Sequence, residues 1–161
     1  MKHRSGASFA GILAILTVMA GMAATALADQ VAKAGADSDR AAIRQAALDY
    51  AEGWYQGDAA RMERALHPDL AKRTIKTDPK SGWTRLDQMS ALSLINATRA
   101  GYGKKTPKAE RIKTVTILDR FHDTASVKLV MRDWIDYLHV VKWRGQWKIV
   151  NVLWLRKPQQ K

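Results

Sequence analysis

Few side chains in this sequence have chemistry to offer, and most of them stand in short apolar runs. Asp136 lies within Trp134-Ile135-Asp136-Tyr137-Leu138, a stretch rich in β-branched and aromatic residues that reads as a strand. A carboxylate on such a face has its ionised form destabilised by desolvation, which moves its pKa toward values useful for a general acid or base. The competing reading is a structural carboxylate held by a neighbouring Arg or Trp N–H. His67, directly before Pro68, is the second candidate, either as a proton shuttle at a pocket mouth or as a ring that satisfies backbone groups where a helix ends. Asn151 can donate to a ligand carbonyl and Arg73 can hold an anionic group. Tyr50, Trp54 and Trp147 can stack on a flat ring or simply fill a core. There is no cysteine and no His/carboxylate spacing of a metal-binding motif, so no metal site is expected. No Gly-rich phosphate loop or nucleophile elbow occurs, and no cofactor is expected.

These residues need elements to position them. Asp37 or Ser38 can cap a helix in which Ile43, Ala47, Tyr50 and Trp54 recur at helical spacing, ended by Gly57. Asp58 can cap a second helix whose Met62, Ala65 and Leu66 face the first, with Pro68 barring extension past His67. A short strand over Ala71 to Ile75, a turn at Asp78 to Gly82, and a third helix from Asp87 to Ala100 follow. The last third reads as four strands: Ile112 to Phe121, Ala125 to Asp133, Trp134 to Trp143 and Gln146 to Arg156. Helices first and an antiparallel meander afterwards make the fold α+β.

An Arg144-Gly145 turn would set Lys142 opposite Trp147, Val140 opposite Ile149, Leu138 opposite Asn151 and Asp136 opposite Leu153. Asp136 and Asn151 then share the face assigned to the helices, where a half-polar lining suits a pocket. The other face carries Ile135, Tyr137, His139, Val141, Trp143, Val150, Val152 and Trp154. Three helices can cover only one of two apolar faces, so a homodimer packed through its sheets is expected.

The N-terminus has a different character. Lys2, His3 and Arg4 precede an apolar run from Phe9 to Ala24, and Ala26-Leu27-Ala28 presents the A-x-A pattern of a cleaved secretory signal. The expected organisation is an export signal over 1–28, a flexible lead-in over 29–38, one domain over 39–157 and a tail over 158–161, with the product in the periplasm or the medium and no membrane anchor after cleavage. The formal net charge of +12 invites anionic partners, but the basic residues are scattered and lack interleaved aromatics. A nucleic-acid partner is therefore not expected.

The order helix, helix, His67-Pro68, strand, helix and four strands ending in Gln146-Trp147-Lys148-Ile149-Val150-Asn151 resembles the nuclear transport factor 2-like superfamily. Asp136-Tyr137-Leu138-His139-Val140-Val141-Lys142 with Gly145 to Asn151, and the segments Ala41-Ile43, Gly57-Asp58 and Leu66-His67-Pro68-Asp69, are similar to its putative lumazine-binding group. The resemblance implies a cone of three helices on a curved, mainly antiparallel sheet. It admits two functions: an exported binding or accessory protein with an apolar pocket for a small apolar or heteroaromatic ligand, or a cofactor-independent isomerase, dehydratase or hydrolase using Asp136. Export has a direct check. The intact mass of the chain recovered from its host should correspond to a polypeptide beginning at Asp29, whereas a chain still beginning at Met1 in the membrane fraction would contradict it.

Overall fold

The computed structural model describes the backbone of residues 9–158 and the side chains of residues 28–158. The basic segment of the expected signal, the side chains of its apolar run and of Ala26-Leu27 in its cleavage pattern, and residues 159–161 lie outside the described residues. Among the described residues no helix is long and apolar enough to cross a membrane. The chain divides into two units, Met1–Asp39 and Arg40–Lys161. The first consists, where described, of the opening turns of helix α1 (Phe9–Gln56). Residues 29–38, expected as a flexible lead-in, are helical, and no cap interrupts the backbone at Asp37 or Ser38. Ala32, Ala34 and Ala36 are strong helix formers, and the single Gly35 costs only about 1 kcal/mol against Ala.

The second unit holds the rest of α1 and all the remaining elements. Ile43, Ala47, Tyr50 and Ala51 form the buried stripe of α1, which Gly57 ends at φ 69°. The Asp58 side chain accepts from Arg61 N–H and caps α2 (Ala59–Ala65), whose Met62 and Ala65 are buried. Strand β1 (Leu66–Thr77) leads to a turn in which Asp78 Oδ1 accepts from the backbone N–H groups of Lys80 and Ser81. Strand β2 (Thr84–Met89) then returns antiparallel to β1 and overturns the expectation of a helix from Asp87. Leu86, Met89 and Leu92 fit helical spacing on their own, so local periodicity could not tell the two apart; pairing with β1 decides for the strand. Ser90 accepts from Ser93 N–H and caps the true helix α3 (Ala91–Arg99).

The remaining strands are β3 (Lys113–Phe121), β4 (Thr124–Met131), β5 (Trp134–Trp143) and β6 (Gln146–Arg156). One six-stranded sheet results, ordered β2-β1-β6-β5-β4-β3, with β1 parallel to β6 and all other neighbours antiparallel. Three helices with a mainly antiparallel sheet make the fold α+β, as the residue pattern indicated. The β5–β6 turn takes positive φ at both Arg144 (49°) and Gly145 (77°), the conformation whose twist matches antiparallel strands.

The β5–β6 register holds from that turn through Val140↔Ile149 and then slips. A bulge leaves Val150 unopposed, so His139 pairs with Asn151, Leu138 with Val152 and Asp136 with Trp154. A one-residue slip exchanges faces beyond it. Val152 and Trp154 therefore join Asp136, Leu138 and Val140 on the helix side, while Asn151 and Leu153 move to the outer face. The helix-side face carries the core: Val127, Leu129, Leu138, Val140, Ile149 and Val152 are fully buried.

A polar network ties α1 to α2 and β3. Asp49, buried, accepts from Gln45 Nε2 at 2.9 Å and Arg61 Nε at 2.7 Å, and Glu52 pairs with Arg61 and Lys113. Burial alone would push the Asp49 carboxyl up, but the Arg61 and Gln45 hydrogen bonds and the Arg61 and Arg64 charges outweigh it and hold the carboxyl below its usual range. Close approach also matters at Gly103, where a Cβ would lie 2.2 Å from the Trp54 carbonyl oxygen and 2.6 Å from its indole Cδ1. In thermal or urea unfolding, Gly103→Ala should cost about 1–3 kcal/mol through overpacking, and Asp58→Ala about 1 kcal/mol through loss of the cap. An unchanged midpoint for Gly103→Ala would show that Trp54 is not held as described.

Candidate functional site

Helical spacing puts Tyr50 and Trp54 on one face of α1, and both turn toward a cavity of about 240 Å³. Its other walls are Met89 from the end of β2, Leu94 from α3, Met131 from the end of β4, Trp134 from the start of β5, and Trp154 and Arg156 from β6. The three tryptophans meet edge to face, Trp134 lying 6.3 Å from Trp54 and 5.9 Å from Trp154 between ring centroids. Arg156 is the exposed member of the lining, with its guanidinium 5.5 Å from the Trp134 ring centroid. The cavity is thus an aromatic slot with a cation at its rim.

One polar group reaches this cavity from within. Leu70, Lys72 and Thr74 alternate along β1 with their side chains buried, so Lys72 enters the core where an apolar residue would be usual. Its Nζ donates to the Tyr50 hydroxyl at 2.7 Å and stands 4.8 Å from the Trp154 ring centroid and 5.4 Å from that of Tyr50. Across β6, the same Nζ lies 3.8 Å from Oδ1 of Asp136. Asp136 is fully buried, and neither of its oxygens accepts a hydrogen bond. Charge attraction without a hydrogen bond compensates burial poorly.

The titration directions follow from that. Burial pushes the Asp136 carboxyl up, and the Lys72 charge, then the Tyr50 hydroxyl, pull it back only in part. Burial pushes Lys72 down to about 8 against the opposing pull of Asp136. Burial, then the negative charge of Asp136, lifts Tyr50 well above the usual phenol value. Asp49 and Asp136 thus depart in opposite directions, one held ionised by arginines and one biased toward neutrality.

The residues singled out in the sequence fall in five places. Tyr50 and Trp54 line the cavity, and Asp136 lies behind Lys72, outside the lining. Arg73 and Asn151 lie on the outer face: Arg73 donates from Nε to Gln88 Oε1 at 3.1 Å and from Nη1 to Asn151 Oδ1 at 3.2 Å. Asn151 also meets His139, Nδ2 to Nδ1, at 3.3 Å, so the expectation that Asn151 shares a face with Asp136 is corrected by the bulge. Trp147 is buried in the core and does not line the cavity. His67 sits elsewhere, in a wider concavity of about 510 Å³ beside Trp143, where its Nδ1 accepts from the Asp69 N–H at 3.1 Å. Sequence reasoning passes over Lys72, Trp134 and Trp154. The alternation around Lys72 was visible, but which parity of β1 faces inward depends on pairing with a distant strand. Among the described residues no cluster of three or more His and carboxylate groups is placed to hold a metal ion.

The sequence profile of the family described as putative lumazine-binding matches residues 38–155. No curated protein matches the chain. Among solved structures, a nuclear transport factor 2-like protein of unknown function from Shewanella baltica superposes with a TM-score of 0.60 at 18% identity, over 76% of this chain and 96% of its own. One from Silicibacter pomeroyi, also of unknown function, gives 0.56 at 17% identity over 76% and 98%. A nuclear transport factor 2-like protein with a cystatin-like fold from Novosphingobium aromaticivorans gives 0.58 at 16% identity over 83% and 92%. At such identities the likeness is one of fold, the nuclear transport factor 2-like, cystatin-like arrangement of helices on a mainly antiparallel sheet.

The buried lysine has a thermodynamic signature. Between pH 8 and the ordinary lysine value of 10.5 the unfolded chain holds a proton on Lys72 that the folded chain has released, so stability rises with pH through that window. Asp136 works in the other sense: the folded chain keeps its proton longer, so its contribution declines as pH climbs from the usual carboxylate range into its raised one. Urea midpoints should therefore correspond to a gain on the order of 1 kcal/mol between pH 8 and 10, and this gain should vanish in Lys72→Met. A flat profile in the parent protein would mean Lys72 is solvated.

Proposed function

The chain belongs to the putative lumazine-binding family, and we propose that it is an exported binding or accessory protein whose aromatic cavity takes a small, flat heteroaromatic ligand. The observation that carries this reading is the slot itself. Tyr50, Trp54, Trp134 and Trp154 supply flat walls, and Lys72 is the one buried basic side chain among the described residues. Four aromatic rings can sandwich or edge a planar ring system, and each such pair contributes about 0.5–1.5 kcal/mol beyond area burial. A ligand carbonyl or ring nitrogen would accept from Lys72, and an acidic substituent would meet Arg156 at the rim. A volume of about 240 Å³ falls below the roughly 300–1,000 Å³ of drug-sized sites, which favours one or two fused rings. The name of the family, lumazine being a bicyclic heteroaromatic dione, points the same way.

Convergence of Lys72, Tyr50 and Asp136 supports a second reading, in which a cofactor-independent isomerase, dehydratase or hydrolase works on the bound ring. His67 plays no part in it, because it sits in the other concavity. Two further features belong to the proposal. The A-x-A pattern supports export. On the outer sheet face Tyr137, Leu153, Leu155 and Ile75 are each about half exposed, which supports a homodimer packed through that face.

Titration with lumazine, a pterin and a flavin, followed by tryptophan fluorescence, tests the cavity. Quenching by at least one, with affinity reduced about tenfold or more in Trp154→Ala or Lys72→Met, is the expected outcome. No quenching and no thermal shift with any of the three would rule out the heteroaromatic reading. Sedimentation should give a dimer that Tyr137→Glu with Leu153→Glu converts to monomer.

A further inference from the structure

We propose that Lys72 captures a small aromatic aldehyde or ketone as a reversible imine within the cavity, with Tyr50 and Asp136 moving the protons. This rests on the cavity being a ligand site and adds a ligand class to it: carbonyl compounds attached to a flat ring.

Three geometric facts carry the inference. The amine lies at an aromatic-walled cavity whose other inner surfaces are apolar, so a ring entering the slot brings its substituent toward Nζ. A hydroxyl stands 2.7 Å from that nitrogen. A carboxylate stands 3.8 Å from it, fully buried and without any hydrogen-bond donor of its own, a poor arrangement for a purely structural ion pair. Burial disfavours the charged form of both partners. Transfer of one proton from Lys72 to Asp136 would relieve that cost and leave a neutral, nucleophilic amine.

The steps balance without any external reactant. The Lys72 lone pair attacks the carbonyl carbon and forms the C–N bond as the C=O π bond opens. The Tyr50 hydroxyl gives its proton to the new alkoxide and takes one from the nitrogen, leaving a neutral carbinolamine. Asp136 then returns its proton to the carbinolamine hydroxyl, the C–O bond breaks, and water leaves. The product is a protonated imine on Lys72 beside an ionised Asp136, so the net charge of the pair equals that at the start. Hydrolysis runs the same path backwards, which makes the capture reversible.

The test uses the full chain with limiting 2-naphthaldehyde and cyanoborohydride at neutral pH, followed by peptide mass mapping. The expected result is one naphthylmethyl group, located on Lys72, formed at least tenfold faster than at any exposed lysine. Preincubation with 2-naphthoic acid, which fits the slot and forms no imine, should slow labelling of Lys72 alone. Lys72→Arg should abolish this adduct while the exposed lysines label as in the parent protein. Asp136→Asn should lower the rate of Lys72 labelling about 100-fold while labelling of the exposed lysines is unchanged. Quenching by naphthoic acid with label spread evenly over exposed lysines would overturn the imine and leave the binding site standing. Absence of both quenching and selective labelling would overturn the two readings together. The mapping on the parent protein decides the matter even if a variant fails to fold.

Discussion

A charge pair that no hydrogen bond completes sits at the centre of this molecule, and the arrangement of the sheet is what allows it. Asp136 on β5 and Lys72 on β1 belong to strands separated by β6, and the lysine spans that strand to bring Nζ within 3.8 Å of the carboxylate. Were β1 and β5 neighbours, the two groups could sit in direct contact and behave as an ordinary buried ion pair. Separated by a strand, they hold each other's charge without satisfying each other's protons and lone pairs. The Tyr50 hydroxyl oxygen accepts a hydrogen bond from the lysine Nζ, and the Trp154 ring flanks the same ammonium. Burial drives the titration directions of Tyr50, Lys72 and Asp136, and for Lys72 and Asp136 this geometry lets each charge offset the other's shift only in part.

The helices serve the same site from the other side. Tyr50 and Trp54 are one turn apart on α1, so any change in that helix's rotation or depth moves both ring walls together. Gly103 lies against the Trp54 carbonyl and indole, and Gly57 ends the helix directly beyond. The network of Asp49, Glu52, Arg61 and Lys113 fixes α1 to α2 and β3 through well-paired charges. The contrast is informative. Where the fold requires a buried carboxylate for anchoring, as at Asp49, it provides two or three donors. Where it leaves one bare, at Asp136, the carboxylate stands behind a cavity.

The two sheet faces divide the labour. On the helix side the β6 residues Val152 and Trp154 complete the core and the slot; on the outer side Arg73, Gln88, Asn151 and His139 form a polar cluster amid half-exposed Tyr137 and Leu153. This partition is the work of one extra residue. Without the bulge at Val150, Asn151 would share the core-facing side of the sheet with Asp136, and Trp154 would stand outside. A single local irregularity therefore brings Trp154 into the cavity wall and turns Asn151 to the outer face.

Much of the fold was legible in the residues. Helical spacing of Ile43, Ala47, Tyr50 and Trp54, capping by Asp58, the Arg144-Gly145 turn and the runs of β-branched residues are local signals, and local signals are written in order along the chain. The apolar run around Asp136 signalled its burial in the same way, and helical spacing put Tyr50 and Trp54 on one face of α1. Strand β2 was not, because Leu86, Met89 and Leu92 suit a helix equally and only pairing with β1 breaks the tie. Lys72 was not, because an alternating strand has two possible faces and the parallel contact with β6, far along the chain, chooses between them. Asn151 and Trp154 were assigned to the wrong faces because a bulge has no composition of its own here: Ile149-Val150-Asn151 reads as a regular strand. The sequence by itself determined the α1 and α2 helices and the strands of the last third, and marked Asp136, Tyr50 and Trp54 as candidates, while β2 and Lys72 waited on pairing with distant strands. Tertiary structure alone decided which of those residues meet, since side-chain direction in a sheet turns over with every one-residue change of register.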